Sequence, residues 1–308
     1  MKTDFTEEQR SNPLMQMMEE NLRKCVHCGF CLPSCPTYSV LGDERESPRG
    51  RIYLIKDMLE SGDAPNTETV SHVDSCLSCL ACVSACPSGV DYQHYIDYAR
   101  SYIENHHQRP WFERFLRSLI VYIITHVRLF KFALRMARFA KPFSRFFSSK
   151  NFSLINMVPA ELKIEKITNT AKVFPAKGLK IKRVALLMGC AQNVLRPSIN
   201  EATIRLLTRM NMEVVVTEGV GCCGALNHHI GKDNIARDLA KTNIDAWLTE
   251  FDQRGIDNII VNAAGCGTEI KDYAYMFKDD PEYNDKAKKI SNLTKDISEL
   301  LSEHQLPS

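Results

Sequence analysis

The sequence predicts an α+β protein of several domains, and three observations support this fold class. A cysteine run flanked by helix-forming stretches occurs twice in residues 1–108, which predicts an α-helical domain. Residues 109–180 are rich in basic and apolar residues at helical spacing, and they form a predicted helical connector. Residues 181–308 alternate short apolar runs with amphipathic helices, which is typical of an α/β domain with a parallel sheet.

The cysteine run has the pattern C-x2-C-x2-C-x3-C-P in both copies. This is the spacing of bacterial two-cluster ferredoxins, in which three thiolates of one run and the last thiolate of the other hold each [4Fe-4S] cube. We therefore expect two [4Fe-4S] clusters and a role in electron transfer. The predicted ligands are Cys25, Cys28, Cys31 and Cys86 for cluster 1, and Cys76, Cys79, Cys82 and Cys35 for cluster 2.

Other uses of these cysteines fit the sequence less well. A pair of tetrahedral zinc sites has no use for the third cysteine of each run. A secreted disulfide scaffold needs an export signal, whereas residues 1–10 are acidic and have no apolar segment, so we expect a cytoplasmic protein. The formal net charge of +2 gives no indication of nucleic-acid binding.

Helices are predicted before, between and after the cysteine runs, because apolar residues recur there at helical spacing. Ser11 or Asn12 can cap the first helix, and Ser47 followed by Pro48 marks the start of the second. The predicted helical segments are 12–24, a segment from 47 through 59, and 91–105.

Four side chains near the predicted ligands either adjust the properties of a cluster or are ordinary surface residues. His27 lies between two cysteines, and we interpret it as a solvent-facing spacer although it could hydrogen-bond a cluster. Arg45, Arg49 and Arg51 could offset the charge of anionic clusters, but we interpret them as ordinary surface arginines.

Residues 112–150 form a basic amphipathic segment. They contain one acidic residue, Glu113, and nine basic residues, with apolar residues between them. The longest uncharged run, 118–127, is shorter than the ~20 residues that span a bilayer, so no transmembrane helix is expected. The segment either lies on an anionic membrane surface or packs as a connector on this protein or a partner, and we prefer the connector.

Strands and helices alternate after residue 182. A cysteine follows each predicted strand, so the sulfurs are expected to gather at the carboxyl edge of a parallel sheet. The predicted strands are 184–188, 214–216 and 258–261, and the predicted helices are 198–210 and 235–251. The candidate ligands of a possible third site are Cys190, Cys222, Cys223 and Cys266.

Gly219, Gly221 and Gly224 form the G-x-G-x-x-G pattern of dinucleotide sites. Two cysteines occupy its inner positions, and the next strand ends without the acidic residue that binds a ribose. We therefore expect these glycines to let the backbone approach a metal or sulfur centre. His228 and His229 lie just beyond and could act as ligands, but we interpret them as helix-surface residues.

The tetrad G-C-C-G at 221–224, with Cys190 before it and Cys266 after it, resembles the cysteine-rich CCG module of heterodisulfide reductases and related respiratory subunits. Twin ferredoxin runs followed by this module are similar to the glycolate oxidase iron-sulfur subunit family, and the resemblance covers essentially the whole chain. Supporting matches are residues 25–31, 42–44, 48–55, 88–90 and 243–247.

Two features depart from the pattern of that family. Its members usually carry a second CCG copy, and this chain has one, so we expect a truncated or shortened variant. The best-studied modules end in C-x-x-C, whereas Gly267-Thr268-Glu269 follows Cys266 here. A labile cluster, a zinc site and four reduced structural cysteines therefore stay open for the third site.

The resemblance implies an electron relay. A partner subunit that binds FAD would oxidise glycolate, and this chain would pass the electrons to a quinone or another acceptor. The chain is thus expected to be the electron-transfer subunit of a glycolate dehydrogenase, with no catalytic residue of its own, in the cytoplasm or at the inner face of the cytoplasmic membrane. The alternatives are the same subunit of a lactate or glycerol-3-phosphate dehydrogenase, and a thiol-disulfide enzyme similar to heterodisulfide reductase.

Overall fold

The computed structural model describes residues 1–141 and 172–304 of the chain. These residues form two compact units. The first unit contains Met1–Pro110 and Asn227–Asp233, and the second contains Trp111–Leu226 and Asn234–Ser308. The division into domains at 1–108, 109–180 and 181–308 stays a prediction.

The first unit is helical, and polar side chains begin its main helices. Asn12 accepts a hydrogen bond from the Leu14 amide at the start of α2, and Ser47 accepts one from the Gly50 amide at the start of α4. α2, α4 and α7 confirm the helices predicted around the cysteine runs. The helices are α1 (Glu7–Arg10), α2 (Pro13–Lys24), α3 (Pro36–Leu41), α4 (Pro48–Ser61), α5 (Thr67–Asp74), α6 (Ala81–Ser84) and α7 (Tyr92–His106), with a 3-10 turn at Glu44–Glu46.

A hydrophobic core holds these helices together. Leu22 of α2, Ile55 of α4 and Ile96 of α7 are fully buried in it, so their apolar surface is removed from water. Two of the predicted ligands, Cys25 and Cys82, belong to the same core. The cysteine loops are therefore supported directly by packed helices.

A pair of contacting helices, α8 (Trp111–Thr125) and α9 (Val127–Ala140), begins the second unit. α8, which is described in full, contains no buried residue, whereas Leu134 of α9 is buried against Val194. In the part of the chain that the structure describes, no helix is long and apolar enough to cross a membrane. The predicted basic segment continues to residue 150, and residues 142–150 lie outside the described residues.

The sheet of the second unit is mixed, not purely parallel as predicted. β3, β2, β4 and β5 run parallel in that spatial order, and β1 pairs with β3 in the antiparallel direction. The three predicted strands are confirmed as β2, β3 and β4, whereas β1 and β5 were missed because each has three residues and no buried apolar run. The strands are β1 (Lys172–Phe174), β2 (Lys182–Leu186), β3 (Met212–Val216), β4 (Asn258–Val261) and β5 (Thr294–Asp296).

Helices cover both faces of this sheet. Successive residues of β2 alternate between two cores: Ala185 packs in the core that contains Trp247, and Val184 packs in the core that contains Leu207. The helices are α10 (Ala191–Leu195), α11 (Pro197–Arg209), α12 (Ala225–His228), α13 (Asp233–Arg254), α14 (Ala264–Lys271), α15 (Tyr273–Met276), α16 (Asn284–Leu293) and α17 (Ile297–Ser302).

Candidate iron-sulfur sites

The eight cysteines of the two runs line two cavities in the described part of the first unit. Cavity 1 is partly open to solvent, has about 440 Å³ of empty volume, and is lined by the first three cysteines of the first run, together with Cys82 and Cys86. Cavity 2 is also partly open to solvent, has about 320 Å³ of empty volume, and is lined by Cys35 and the first three cysteines of the second run. The structure thus brings together the members of each predicted ligand set. Cys82 lines both cavities, and each cavity has at least the four cysteines that a [4Fe-4S] cube takes as ligands.

The two cavities share a wall. Pro48, Cys82 and Tyr92 line both of them. Tyr92 is buried, and its hydroxyl oxygen lies 3.8 Å from the sulfur of Cys76. Groups bound in the two cavities would be neighbours, as a relay of single electrons requires.

The two cysteine loops share an unusual backbone conformation. The residues just before and just after the second cysteine of each run have positive φ: His27 (56°) and Gly29 (84°) in the first loop, Ser78 (48°) and Leu80 (56°) in the second. Such a conformation is costly for residues other than glycine and persists only where the surrounding structure enforces it. Its repetition at equivalent positions indicates that both loops are built for the same task.

Arg51 is not the surface arginine that the sequence analysis predicted. Its side chain is 1% exposed, and its guanidinium donates to Glu46 Oε2 at 2.6 Å, to the Glu46 carbonyl at 2.7 Å and to the His72 carbonyl at 2.6 Å. Its Nη1 also lies 3.9 Å from the sulfur of Cys35. A buried cation therefore touches a predicted ligand of cluster 2, where it offsets thiolate charge.

Arg49 and Arg45 differ from Arg51 in their surroundings. Arg49 pairs with Glu44 at 2.6 Å and donates to the His27 carbonyl at 3.0 Å, so it ties α4 to the first cysteine loop. Arg45 is half exposed and pairs with Asp43 and Glu68, as predicted for a surface arginine.

His27 faces cavity 1 and is not the solvent-facing spacer that was predicted. It is half-buried, it lines the cavity, and its Nε2 is buried with no hydrogen-bond partner among the described residues. Burial lowers the pKa of its imidazole, and the charge of Arg49 lowers it further. An orphaned ring nitrogen at this position fits a cavity that holds sulfur acceptors.

Burial also acts on the thiols. It raises the pKa of Cys82 to about 12, with a smaller contribution from the neighbouring Cys76, and it raises the pKa of Cys31. Thiols in such surroundings stay protonated until a metal replaces the proton, so assembly of a cluster releases protons here.

The second unit brings the remaining four cysteines together, as the positions after β2, β3 and β4 predicted. Their side chains form a hydrogen-bonded row in the order Cys190, Cys222, Cys223 and Cys266. Hydrogen bonds from the Cys190 and Cys223 thiols hold the pKa of Cys222 well below its ordinary value. In the described residues, no group of three or more His, Cys, Asp or Glu side chains is placed so that it could hold a single metal ion.

Two buried polar residues that sequence reasoning missed hold this cysteine row in place. Asn243 accepts from the Gly221 amide and donates to the Cys222 carbonyl, both at 2.8 Å. The Tyr273 hydroxyl donates to the Cys223 carbonyl at 2.7 Å. The signal for Asn243 in the sequence was a polar residue on a mostly apolar helical face, which is weak on its own.

The glycine pattern and the histidines also have structural explanations. Gly224 has φ of +96°, and a Cβ there would lie 3.0 Å from the Ala236 carbonyl oxygen, so glycine at this position serves the packing of the backbone on α13; the predicted approach to a metal or sulfur centre stays a prediction. His229 belongs to the first unit, where its Nδ1 lies 3.1 Å from the carboxylate of the buried Asp97.

Models of known protein families match a segment in each part of the chain. A family model described as a 4Fe-4S dicluster domain matches residues 21–90, and a model described as a cysteine-rich domain matches residues 184–271. No solved structure gives a significant match.

Three relatives illustrate the range of similarity. The chain is 38% identical over 307 residues to the glycolate oxidase iron-sulfur subunit of Escherichia coli K12. The matched region covers 99% of this chain and 72% of the relative. The chain is 32% identical to the probable glycolate oxidase iron-sulfur subunit of Bacillus subtilis 168, with the same coverage. The lactate utilization protein A of B. subtilis is 27% identical over 119 residues, or 39% of this chain and 48% of the relative.

Proposed function

Because this chain belongs to the glycolate oxidase iron-sulfur subunit family, we propose that it relays electrons from an FAD-containing partner subunit, which oxidises glycolate, to a quinone or another acceptor. The chain is an electron-transfer component of an oxidoreductase, and its dicluster domain carries two [4Fe-4S] clusters. Clusters of this type take up electrons one at a time, which suits a flavin that releases its two electrons singly.

The observation that carries this proposal is the wall that cavities 1 and 2 share. Pro48, Cys82 and Tyr92 are common to both linings, so electrons have a short path between the cavities. Residues of this chain supply the surroundings of the path: Tyr92 contributes a buried hydroxyl, and Arg51 contributes a buried positive charge.

We assign the ligands as crossed sets, in which Cys86 completes cluster 1 and Cys35 completes cluster 2. The lining of each cavity supports this assignment, because each of these two cysteines faces the cavity lined mainly by the other run. His27 at cavity 1 and Arg51 at cavity 2 would each donate a hydrogen bond to sulfur, which stabilises the anionic form of the site.

Double variants test the crossed assignment. If Cys25 and Cys86 serve the same cluster, the C25S/C86S variant should lose about four of about eight iron atoms, the same loss as either single variant. The C25S/C35S variant should lose essentially all of the iron, since it damages both clusters. Iron, acid-labile sulfide and the electron paramagnetic resonance of the reduced protein would be measured after anaerobic purification.

The opposite result contradicts the crossed sets. Loss of about four iron atoms in C25S/C35S and of all iron in C25S/C86S would mean that each run holds its own cluster. The C266S variant is the matched control, because Cys266 belongs to the cysteine row of the second unit.

To test the relay itself, the flavoprotein partner and glycolate are added, and cluster reduction is followed by visible absorbance. No reduction would refute the relay.

A thiol-disulfide activity is the second candidate function. The specific observation in its favour is the cysteine row, in which hydrogen bonds from the Cys190 and Cys223 thiols lower the pKa of Cys222. The C222S/C223S variant separates the two functions. Loss of turnover with both ferredoxin clusters intact would favour chemistry at this row, and unchanged turnover supports the relay alone.

We further propose that the chain works at the inner face of the cytoplasmic membrane. The reason is physical: quinones dissolve in the bilayer, so a subunit that reduces a quinone must reach the membrane surface.

A further inference from the structure

The helix pair α8–α9, here named the basic hairpin, exposes eleven large apolar side chains. Trp111 is 78% exposed and Phe139 is 73% exposed. Isolated exposed apolar residues are ordinary, but many of them on two contacting helices indicate an interaction site. The exposed apolar residues are Trp111, Phe112, Phe115, Leu116, Leu119, Ile120 and Tyr122 in α8, and Leu129, Phe132, Met136 and Phe139 in α9.

α9 has three distinct faces. The first is apolar and packed: Val127, Phe130, Leu134 and Ala137 lie at helical spacing against Val194. The second is apolar and exposed, and its residues repeat with the same spacing. It consists of Leu129, Phe132, Met136 and Phe139. The packed face therefore anchors the helix to its own unit.

The third face of α9 is a basic row between the two apolar faces. At 100° per residue, Arg128, Lys131, Arg135 and Arg138 fall on one narrow stripe. No acidic residue occurs in the sequence between Glu113 and Glu161, so nothing in this stretch neutralises the row. The hairpin therefore combines an exposed apolar face with a positive edge.

This combination matches one kind of partner. At a lipid surface, an amphipathic helix buries its apolar face near the acyl chains, while long basic side chains reach the headgroup phosphates. Negative lipids attract such a row, and the attraction falls with salt. The lengths of α8 and α9 agree with a surface position, because neither helix is long and apolar enough to span the bilayer.

We propose that the basic hairpin seats this chain on an anionic bilayer, with Phe132, Met136 and Phe139 inserted and the basic row of α9 at the lipid phosphates. The inference rests on the proposed function, since it identifies the surface that would bring the relay to a membrane-dissolved acceptor. It replaces the preference for a simple connector with a docking role for α8 and α9.

Vesicle sedimentation of the cluster-loaded full chain tests the proposal. The probes are vesicles of phosphatidylcholine alone and of phosphatidylcholine mixed with phosphatidylglycerol. We expect binding only to the anionic vesicles, with weaker binding as salt is raised. The charge variant R128Q/K131Q/R135Q/R138Q should lose about 100-fold or more in affinity, since each basic residue near such a surface contributes about fivefold. The apolar variant F132S/M136S/F139S should also lose binding.

The matched control removes four exposed basic residues outside the hairpin, in the variant K177Q/K180Q/R205Q/K288Q. It has the same net charge as the charge variant and should bind like the unmodified chain. Iron content and circular dichroism show that each variant is folded.

Three results would overturn the inference. The first is equal binding of the chain to neutral and anionic vesicles, and the second is an equal loss of vesicle affinity in the control and the charge variant. The third is that the hairpin variants keep vesicle binding but no longer bind the flavoprotein partner. The last result would assign the hairpin to a protein interface. Clusters are counted separately and reduction by the flavoprotein is measured without vesicles, so a failure of the relay is distinguished from a failure of docking.

Discussion

Replacing Arg51 by methionine should destabilise the first unit strongly. The guanidinium is 1% exposed and bonds the carboxylate of Glu46, which is itself buried. Methionine fills a similar volume but leaves Glu46 as a buried charge without its cation. Hydrogen bonds from His72 and Ser75 remain, but they do not replace the lost positive charge.

The expected loss follows from the energetics of buried ion pairs. Removing one partner of a buried pair costs about 3–5 kcal/mol, because the other charge is left uncompensated. With a urea dependence of about 2 kcal/mol per molar, the unfolding midpoint should fall by about 2 M. The double variant R51M/E46Q removes both charges and should recover a large part of this loss, since replacing both partners is far less costly than breaking the pair.

Urea titration of the cluster-loaded protein, followed by the visible absorbance of the clusters, measures these midpoints. Arg45→Met is the matched control: Arg45 is half exposed and paired at the surface, where water screens the pair, so its removal should hardly move the unfolding midpoint. A midpoint for R51M equal to that of R45M would refute the argument, because it would mean that the pair contributes no more than a surface salt bridge.

Three further predictions follow from other parts of the molecule. Hydrogen bonds, chiefly those from Arg10, lower the pKa of Glu19 to about 2, so the carboxylate stabilises the fold above pH ~4.5 and loses that effect as pH falls toward 2. The difference in urea midpoint between wild type and E19Q should therefore be largest at pH 7 and shrink below pH ~4.5. A difference that does not change with pH would contradict this prediction. A Cβ at Gly50 would lie 2.0 Å from the Glu44 carbonyl oxygen, so Gly50→Ala should lower the free energy of unfolding by about 1–3 kcal/mol, measured by heat or urea. Gly265→Ala is the control: a Cβ there meets open space, so this variant should be as stable as the wild type. Anaerobically purified protein should contain about eight iron and eight sulfide atoms per chain; about twelve would mean that the four cysteines of the second unit hold a third cluster, and zinc in place of iron would contradict the relay.

Local sequence was sufficient for the parts of this protein that depend on neighbouring residues. A C-x2-C-x2-C spacing places three sulfurs within one turn of chain, so it predicts a cluster site without any knowledge of the fold. Asn12 and Ser47 cap helices through bonds to amides two or three residues away, and the apolar runs at β2 and β4 need burial in a sheet. Each of these features is determined within a few residues along the chain.

Only the tertiary structure decided the features that depend on distant residues. Arg51 is buried because Glu46, His72 and the sulfur of Cys35 converge on it from separate elements, whereas its sequence neighbours are those of a surface helix. Asn243 of α13 likewise supports the cysteine row through the backbone at Gly221 and Cys222.

The strands that were missed and the exposed face of α9 show the same limit. β1 and β5 are too short to carry a pattern, and they become strands because a neighbouring strand offers unpaired backbone groups. The sequence determined that α9 is basic and amphipathic. Which of its apolar faces packs on the protein and which stays exposed depends on where Val194 lies in the fold, and spacing along one helix carries no such information.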